Sequence, residues 1–227
     1  MYGEKESSYL PRGFLVVNHL IALGIVFWLL FGGGIETVWH WFGFFRASGN
    51  FWRRALIFFC SAFYFLRIIV TTFVLLRRKM DWGESITIVV WLYIIHPTFA
   101  LLGGINKSGP GILAGVGIFL YLFGSYLNTG SEYLRKTWKE KPENKGRLYT
   151  EGLFRHSMHI NYFGDVVLFT GFALITRSPY AFIIPALMFL LFNFVNIPML
   201  DKYLAEKYGA EFDEYSRKTK KFVPFVY

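Results

Sequence analysis

The sequence has little cysteine and little charge. Cys60 is the one cysteine among 227 residues, so an intramolecular disulfide is excluded and a thiolate metal cluster is disfavoured. Only 17% of the residues are charged, whereas 54% are hydrophobic and 21% are aromatic. Soluble globular domains carry more charge and fewer apolar residues than this. The composition therefore indicates an integral membrane protein.

Motifs for soluble nucleotide and metal chemistry are also missing. The sequence contains no G-x-G-x-x-G, no P-loop and no G-x-S-x-G. The glycine runs at 32–34 and 103–104 follow apolar segments and predict breaks between helices. The five histidines form no helical ligand pair with a carboxylate companion, so we predict no metal site. No nucleic-acid motif accompanies the net charge of +9, and we expect no nucleic-acid partner.

Long apolar runs dominate what is present. Because the hydrocarbon core is about 30 Å thick, a helix needs about 20 mostly apolar residues to cross it. Six segments meet or approach that length: Phe14–Phe31, Ala55–Leu76, Ser85–Ile105, Gly111–Asn128, Val166–Thr176 and Tyr180–Ile197. We therefore predict an all-α, polytopic membrane helix bundle of about six transmembrane helices. There is no internal repeat, so residues 1–227 are predicted to form a single domain, with four spans in 1–127.

The placement of basic residues predicts the orientation of the chain. Most of the 24 Lys and Arg residues, from Lys5 and Arg12 to the C-terminal group around Lys221, lie on one side of the six-span scheme. Short cytoplasmic loops retain positive residues, so we predict that both termini are cytoplasmic. The N-terminal apolar run lacks a cleavage site and a basic leader, which predicts a permanent helix.

Several polar residues lie within the predicted spans. Arg67 is near the middle of the second span, where an always-charged guanidinium requires a carboxylate, carbonyls, a phosphate or water. Tyr64 is three residues earlier, on the same helical face. We interpret Asn18, His19 and His96 as structural, because isolated polar residues in spans usually bond to another helix. Pro97 is predicted to break the third helix beside His96.

The polar stretch 128–165 holds a possible anion site. Asn128 and Glu132 are four residues apart and lie on one helical face, where they could hold a sugar hydroxyl or an amide. Arg135 and Arg147 could donate to a phosphate, and Asn161 adds another amide. Together these residues predict a nucleotide clamp at the membrane surface, although each taken singly is equally typical of a solvated loop.

At these residues the sequence resembles a known family. The block Gly152-Leu-Phe, separated by six residues from Asn161-Tyr-Phe-Gly-Asp165, resembles the C-terminal domain of the steroid 5-alpha-reductases and their bacterial relatives. The closing segments around Tyr203 and Phe222-Val-Pro-Phe are similar to the same family, as is Asn128-x-x-x-Glu132. Tyr64-Phe-Leu-Arg67 resembles the family's Tyr-Phe-x-Arg, with Arg78 at the place of a second arginine.

The resemblance implies an NADPH-dependent membrane reductase that transfers a hydride to a conjugated enone. Residues 128–227 would then be the cofactor-binding half, and cytoplasmic loops would cover the cofactor. Tyr64 would be catalytic, with Glu36 as the possible carboxylate partner. The lipophilic substrate would enter from the bilayer lipids, and no obligate protein partner is evident. Carried over residue by residue, the nucleotide contacts would be Arg67, Arg78, Asn128, Glu132, Arg135, Arg147, Asn161, Asp165 and Tyr203.

Two other functions remain open from the sequence. The membrane methyltransferases of isoprenylcysteine and phospholipids share the C-terminal architecture and bind S-adenosylmethionine. They typically have a Glu-Glu pair where this chain has Leu200-Asp201-Lys202, and Asn128 with Glu132 has no obvious role in them, so the reductase is favoured. The third alternative is a lipid-binding or scaffold protein that retains the fold without the chemistry.

Overall fold

A computed structural model describes residues 8–227, and this range contains helices, turns and loops but no strand. Lys5, which the orientation argument uses, lies outside the described residues. The α-helices of the described range are α1 (Tyr9–Phe31), α2 (Gly34–Trp41), α3 (Phe51–Val70), α4 (Trp82–Gly104), α5 (Ile112–Ser125), α6 (Ser131–Glu140), α7 (Ile160–Thr176), α8 (Ile183–Leu191), α9 (Ile197–Tyr208) and α10 (Ala210–Lys218). The all-α prediction is confirmed.

Three short segments of π-helix extend these helices. Thr71–Leu75 continues α3, Tyr126–Gly130 joins α5 to α6, and Phe192–Asn196 joins α8 to α9. Two of these junctions therefore make single long helices, Ile112–Glu140 and Pro179–Tyr208, from shorter pieces. A π-turn inserts an extra residue into a helix and is frequent at functional sites.

Within residues 8–227, five helices are long and apolar enough to cross a membrane. They are Tyr9–Phe31, Phe51–Leu75, Trp82–Gly104, Ile112–Glu140 and Pro179–Tyr208. The remaining apolar helix, α7, has 17 residues and falls below the usual length of a span. The chain is thus a multi-pass membrane protein, and its predicted short fifth span corresponds to the later part of α7.

Local sequence explains where the N-terminal helices begin and end. The side chain of Asn50 caps α3 by accepting from the amide of Arg53 at 3.2 Å, and Asp81 caps α4 by accepting from Glu84 at 2.8 Å. Gly33 has φ 79° between α1 and α2, a conformation that favours glycine. The predicted break at Pro97 is wrong, because α4 continues through it to Gly104. A proline removes only one helical hydrogen bond, and α4 packs against α1 and α3 on either side.

The described chain divides into two compact units. Unit 1 contains residues 8–118 and 172–182, and unit 2 contains residues 119–171 and 183–227. In unit 1, α1 packs against α3 and α4. In unit 2, one apolar cluster joins Leu127, Tyr149, Phe154 and Ile160, and another lies around Phe212. The single-domain organisation and its division after residue 127 stay predictions.

Candidate functional site

A hydrogen-bonded polar network lies in unit 2 where α5 meets α7. Asn128 is in the π-helical segment Tyr126–Gly130, and its side chain is 9% exposed. Its amide Nδ2 donates to Oδ2 of Asp165 at 2.9 Å and to the backbone carbonyl of Asn161 at 3.0 Å. Asp165 lies one turn along α7 from Asn161. Three of the predicted nucleotide contacts are therefore neighbours in the fold.

Glu132 connects this network to α6. The Asn161 amide Nδ2 donates to Oε1 of Glu132 at 2.9 Å, and the guanidinium of Arg135 pairs with the other carboxylate oxygen. The Glu132 side chain is 17% exposed and that of Arg135 is 43% exposed, so the arginine lies at the solvent edge. Arg135 also lies over the Phe154 ring at 5.5 Å. Asn128, Glu132, Arg135, Asn161 and Asp165 thus form one network of alternating amide, carboxylate and guanidinium groups.

Two glycines bring the helices of the network into close contact. A Cβ atom added at Gly164 would lie 2.6 Å from the backbone nitrogen of Asn128 and 2.8 Å from the backbone carbonyl oxygen of Gly124. An added Cβ at Gly124 would in turn meet the backbone of Gly164 and Leu168. Only glycine permits this approach of the two backbones, and the approach puts Asn128 within bonding distance of α7.

Three further polar atoms around α5 and α8 are buried without a hydrogen-bond partner among residues 8–227. They are the hydroxyl oxygens of Ser125 and Thr129 and the side-chain oxygen of Asn193. Ser125 and Thr129 are one helical turn apart and flank Asn128 in sequence. Buried polar atoms are normally hydrogen-bonded, so the unpartnered hydroxyls of Ser125 and Thr129 are available to a bound polar ligand. Nothing in the sequence indicates that these residues contact a ligand, because Ser and Thr in an apolar helix usually bond to their own backbone.

Arg147 and Tyr203 are in unit 2 but have other contacts in the structure. The Arg147 side chain is 65% exposed, and its Nε is 3.9 Å from a carboxylate oxygen of Glu211. The hydroxyl oxygen of Tyr203 accepts from Lys207 Nζ at 2.9 Å. The predicted role of these two residues in nucleotide binding stays a prediction.

Unit 2 contains a second polar group that was not predicted from the sequence. His159 is 1% exposed, and its Nε2 lies 2.8 Å from Oδ1 of Asp201, whose other oxygen is 3.3 Å from Lys221 Nζ. The amide of His159 donates to the Lys221 carbonyl at 3.2 Å. These bonds fasten the C-terminal segment to the start of α7, directly before Asn161. The charge of Asp201 beside an apolar segment is the feature of the sequence that could have indicated a polar site there.

Tyr64 and Arg67 lie together in unit 1, as their spacing predicts. Both side chains are buried in α3, and the guanidinium carbon of Arg67 lies 4.9 Å from the centroid of the Tyr64 ring. Arg78 follows α3 and binds both carboxylate oxygens of Glu84, at 2.6 and 2.7 Å. A phosphate would have to compete with Glu84 for Arg78, so its guanidinium is less available than the sequence suggests.

The structure does not bring Glu36 to Tyr64. Glu36 is in α2, and its carboxylate accepts from the backbone amide of Ser48 at 2.6 Å, just before the start of α3. Tyr64 is 13 residues further along α3 than Phe51, which corresponds to about 20 Å of helix. Partial burial opposes ionisation of Glu36, but the Ser48 hydrogen bond and Arg54 outweigh it and lower the pKa of the carboxyl below its usual value. Glu36 is therefore held as a carboxylate bound to its own loop.

Comparisons with known proteins agree with the resemblance found in the sequence. A family model described as "Protein of unknown function (DUF1295)" matches residues 85–219, which is more than half of the chain. Human 3-oxo-5-alpha-steroid 4-dehydrogenase 2 is 27% identical over 112 residues, which are 49% of this chain and 42% of the relative. Rat 3-oxo-5-alpha-steroid 4-dehydrogenase 1 is 28% identical over 110 residues, which are 48% of this chain and 40% of the relative. These matches confirm the steroid-reductase-like family, and the chain spans about two fifths of the length of these curated relatives.

Proposed function

Because this chain belongs to the DUF1295 family and is steroid-reductase-like, we propose that it is a membrane-embedded, NADPH-dependent reductase. Its substrate is a lipophilic ketone with a conjugated C=C bond, of the steroid type or another lipid. The class of reaction is taken from the names of the relatives. The match covers only part of those relatives, so the substrate is part of the proposal. The single observation that supports nucleotide binding is the Asn128 network of unit 2.

The donor and acceptor groups of this network suit a dinucleotide. Asn128 and Asn161 carry amides, and Glu132 and Asp165 carry carboxylates, which are the groups that hold ribose hydroxyls and a carboxamide. Arg135 lies at the exposed edge, where a phosphate would meet it. The unpartnered hydroxyls of Ser125 and Thr129 would complete their hydrogen bonding with such a ligand.

The bound cofactor would supply a hydride to the β-carbon of the enone, and the carbonyl oxygen would take up the resulting negative charge. A donor positioned at that oxygen lowers the barrier, because it stabilises charge that develops in the transition state. We assign this role to the hydroxyl of Tyr64, whose side chain is buried in α3. A proton from water would then complete the reduction at the α-carbon. Arg67, over the Tyr64 ring, keeps positive charge beside the phenol.

Ligand-induced thermal stabilisation tests the cofactor. A ligand that binds only the folded protein raises its melting temperature, so detergent-purified protein is heated with NADPH, NADH or S-adenosylmethionine in turn. We expect a rise with NADPH that is smaller in Asn161→Ala at the same NADPH concentration. A rise with S-adenosylmethionine alone would replace the proposal with methyl transfer. No rise with any of the three would support a lipid-binding or scaffold protein instead.

A further inference from the structure

A cluster of two histidines and a tyrosine is buried inside unit 1. His19 in α1 and His96 in α4 are each 1% exposed, and Tyr64 in α3 is 9% exposed. The ring centroids are 5.2 Å apart for the two histidines, 5.9 Å for His19 and Tyr64, and 5.4 Å for His96 and Tyr64. Three helices therefore direct polar aromatic rings to one place among apolar side chains.

His19 has no hydrogen bond from either ring nitrogen in the part of the chain that the structure describes. Its neighbours are different: Asn18 donates to the Phe14 carbonyl at 2.8 Å, and Nδ1 of His96 lies 3.1 Å from the Ser61 hydroxyl. Among residues 8–227, neither nitrogen of His19 therefore has a partner, whereas Asn18 is bonded and His96 is bonded through Nδ1 but not through Nε2. The structural interpretation of all three residues stays a prediction. A buried polar group without a partner destabilises a fold, so its presence requires another explanation.

The position of His19 suggests an explanation for its unpartnered imidazole. An edge-on contact with Phe65, at 5.1 Å between ring centroids, holds the imidazole beside Tyr64. Among the described residues no group of three or more His, Cys, Asp and Glu side chains could hold a metal ion. Glu36, the partner that the sequence suggested for Tyr64, bonds to Ser48 just before α3 begins. Tyr64 lies about 20 Å along α3 from its first residue.

We propose that an N–H of His19 donates a hydrogen bond to the carbonyl oxygen of the substrate, alongside the hydroxyl of Tyr64. This inference rests on the proposed function and extends it. A neutral imidazole carries one N–H donor, which suits an oxygen that becomes negative when hydride reaches the β-carbon. His19 forms and breaks no covalent bond in this role. His96, fixed by Ser61, forms the opposite side of the cluster and positions the other two rings.

Substitutions at His19 separate this role from a structural one. His19→Leu removes both ring nitrogens, whereas His19→Gln keeps an N–H donor. Asn18→Leu is the matched control, because Asn18 is the adjacent polar residue of α1 and bonds to the Phe14 carbonyl and the Tyr93 hydroxyl, not to the histidine and tyrosine cluster. The probes are NADPH with a 3-oxo-4-ene steroid for turnover, and a saturated 3-oxo-5α-steroid whose bound carbonyl stretch is followed by infrared difference spectroscopy.

We expect kcat to fall about 100-fold or more in His19→Leu, the usual loss on removing one donor at a developing oxyanion, and to recover at least partly in His19→Gln. The carbonyl stretch should move to higher frequency in His19→Leu, while the NADPH-induced rise in melting temperature stays that of the parent. Without ligand, His19→Leu should melt at the same temperature as the parent or higher, because an unpartnered buried group has been removed. Asn18→Leu should retain kcat.

Three results would overturn the inference. They are parental kcat in His19→Leu, a fall in its melting temperature without ligand, or NADPH stabilisation of a parent protein that neither reduces nor binds the steroid ketones. Absence of any NADPH effect on the parent protein is a different outcome, since it removes the proposed function itself.

Discussion

At the residue scale, the network of unit 2 is sensitive because each amide bonds to a partly buried carboxylate. Asn161 donates to Glu132, and Asn128 donates to Asp165. Truncating either amide removes a hydrogen bond and also leaves a carboxylate oxygen without its donor, which costs more than the bond alone. The polar residues of this site are therefore coupled, and one substitution affects the position of the next.

Asn161→Ala should weaken NADPH binding by about 1 to 3 kcal/mol, or about 5- to 150-fold in Kd. The measurement is a titration of purified protein with NADPH, followed by melting temperature or calorimetry. Asn106→Ala is the control, because the Asn106 amide bonds to the Arg177 carbonyl in unit 1. Unchanged affinity in a folded Asn161→Ala protein would remove Asn161 from the nucleotide site.

The buried phenol of Tyr215 should make the protein less stable at alkaline pH. Its hydroxyl donates to the Phe154 carbonyl at 2.6 Å, and burial raises the pKa of the phenol above its usual value near 10. The unfolded chain loses this proton at lower pH than the folded protein, so the contribution of Tyr215 to stability is complete below pH 10 and declines above it. Tyr215→Phe should lower the free energy of unfolding at neutral pH by about 0.5 to 1.5 kcal/mol.

The same substitution should make the decline above pH 10 shallower. Melting temperatures of parent and variant between pH 7 and pH 11 provide the measurement. Tyr227→Phe is a control with a half-exposed phenol. Parallel curves for the parent protein and Tyr215→Phe would show that Tyr215 does not titrate differently on folding.

At the scale of elements, the contact between α5 and α7 depends on missing side chains. Gly164→Ala would place a methyl group against backbone atoms of Asn128 and Gly124, which cannot move without separating the helices. We expect loss of both thermal stability and NADPH binding, because overpacking costs about 1 to 3 kcal/mol and displaces the Asn128 amide.

The control for this substitution lies on α5 itself. A Cβ at Gly115 would have no atom within 4 Å, so Gly115→Ala should be neutral or stabilise the helix by up to about 1 kcal/mol. Melting curves of both variants, with and without NADPH, distinguish the two sites. Equal stability of Gly164→Ala and Gly115→Ala would contradict the close packing.

Sequence alone predicted the elements better than their contacts. Apolar length located each long span to within a few residues at most ends, because crossing a bilayer requires it. Helical spacing and the family resemblance together selected Asn128 and Glu132. The ring neighbours of His19 and the hydrogen-bond partner of Glu36 could not be predicted, since they depend on which helices are neighbours and how those helices are rotated. The π-helical segment that carries Asn128 was missed because no residue type specifies it.

At the scale of the whole molecule, orientation stays a prediction with a direct test. In a Cys60→Ala background, Lys145→Cys and Lys107→Cys place single exposed thiols on loops that the charge distribution assigns to opposite sides. In intact cells, a membrane-impermeant maleimide should label Lys107→Cys and leave Lys145→Cys unlabelled. Inverted vesicles should give the opposite pattern. Labelling of Lys145→Cys in intact cells would reverse the assigned orientation.

The 17 residues of α7 rise about 25 Å, which is less than the hydrocarbon thickness of an average bilayer. No residue of α7 is exposed, so the rest of the protein, more than lipid, surrounds this short helix. Asn161 is the second residue of α7, so the depth of its amide is set by the fold and not by acyl-chain length. A covered helix can therefore be shorter than the bilayer is thick and keep a polar first turn away from lipid.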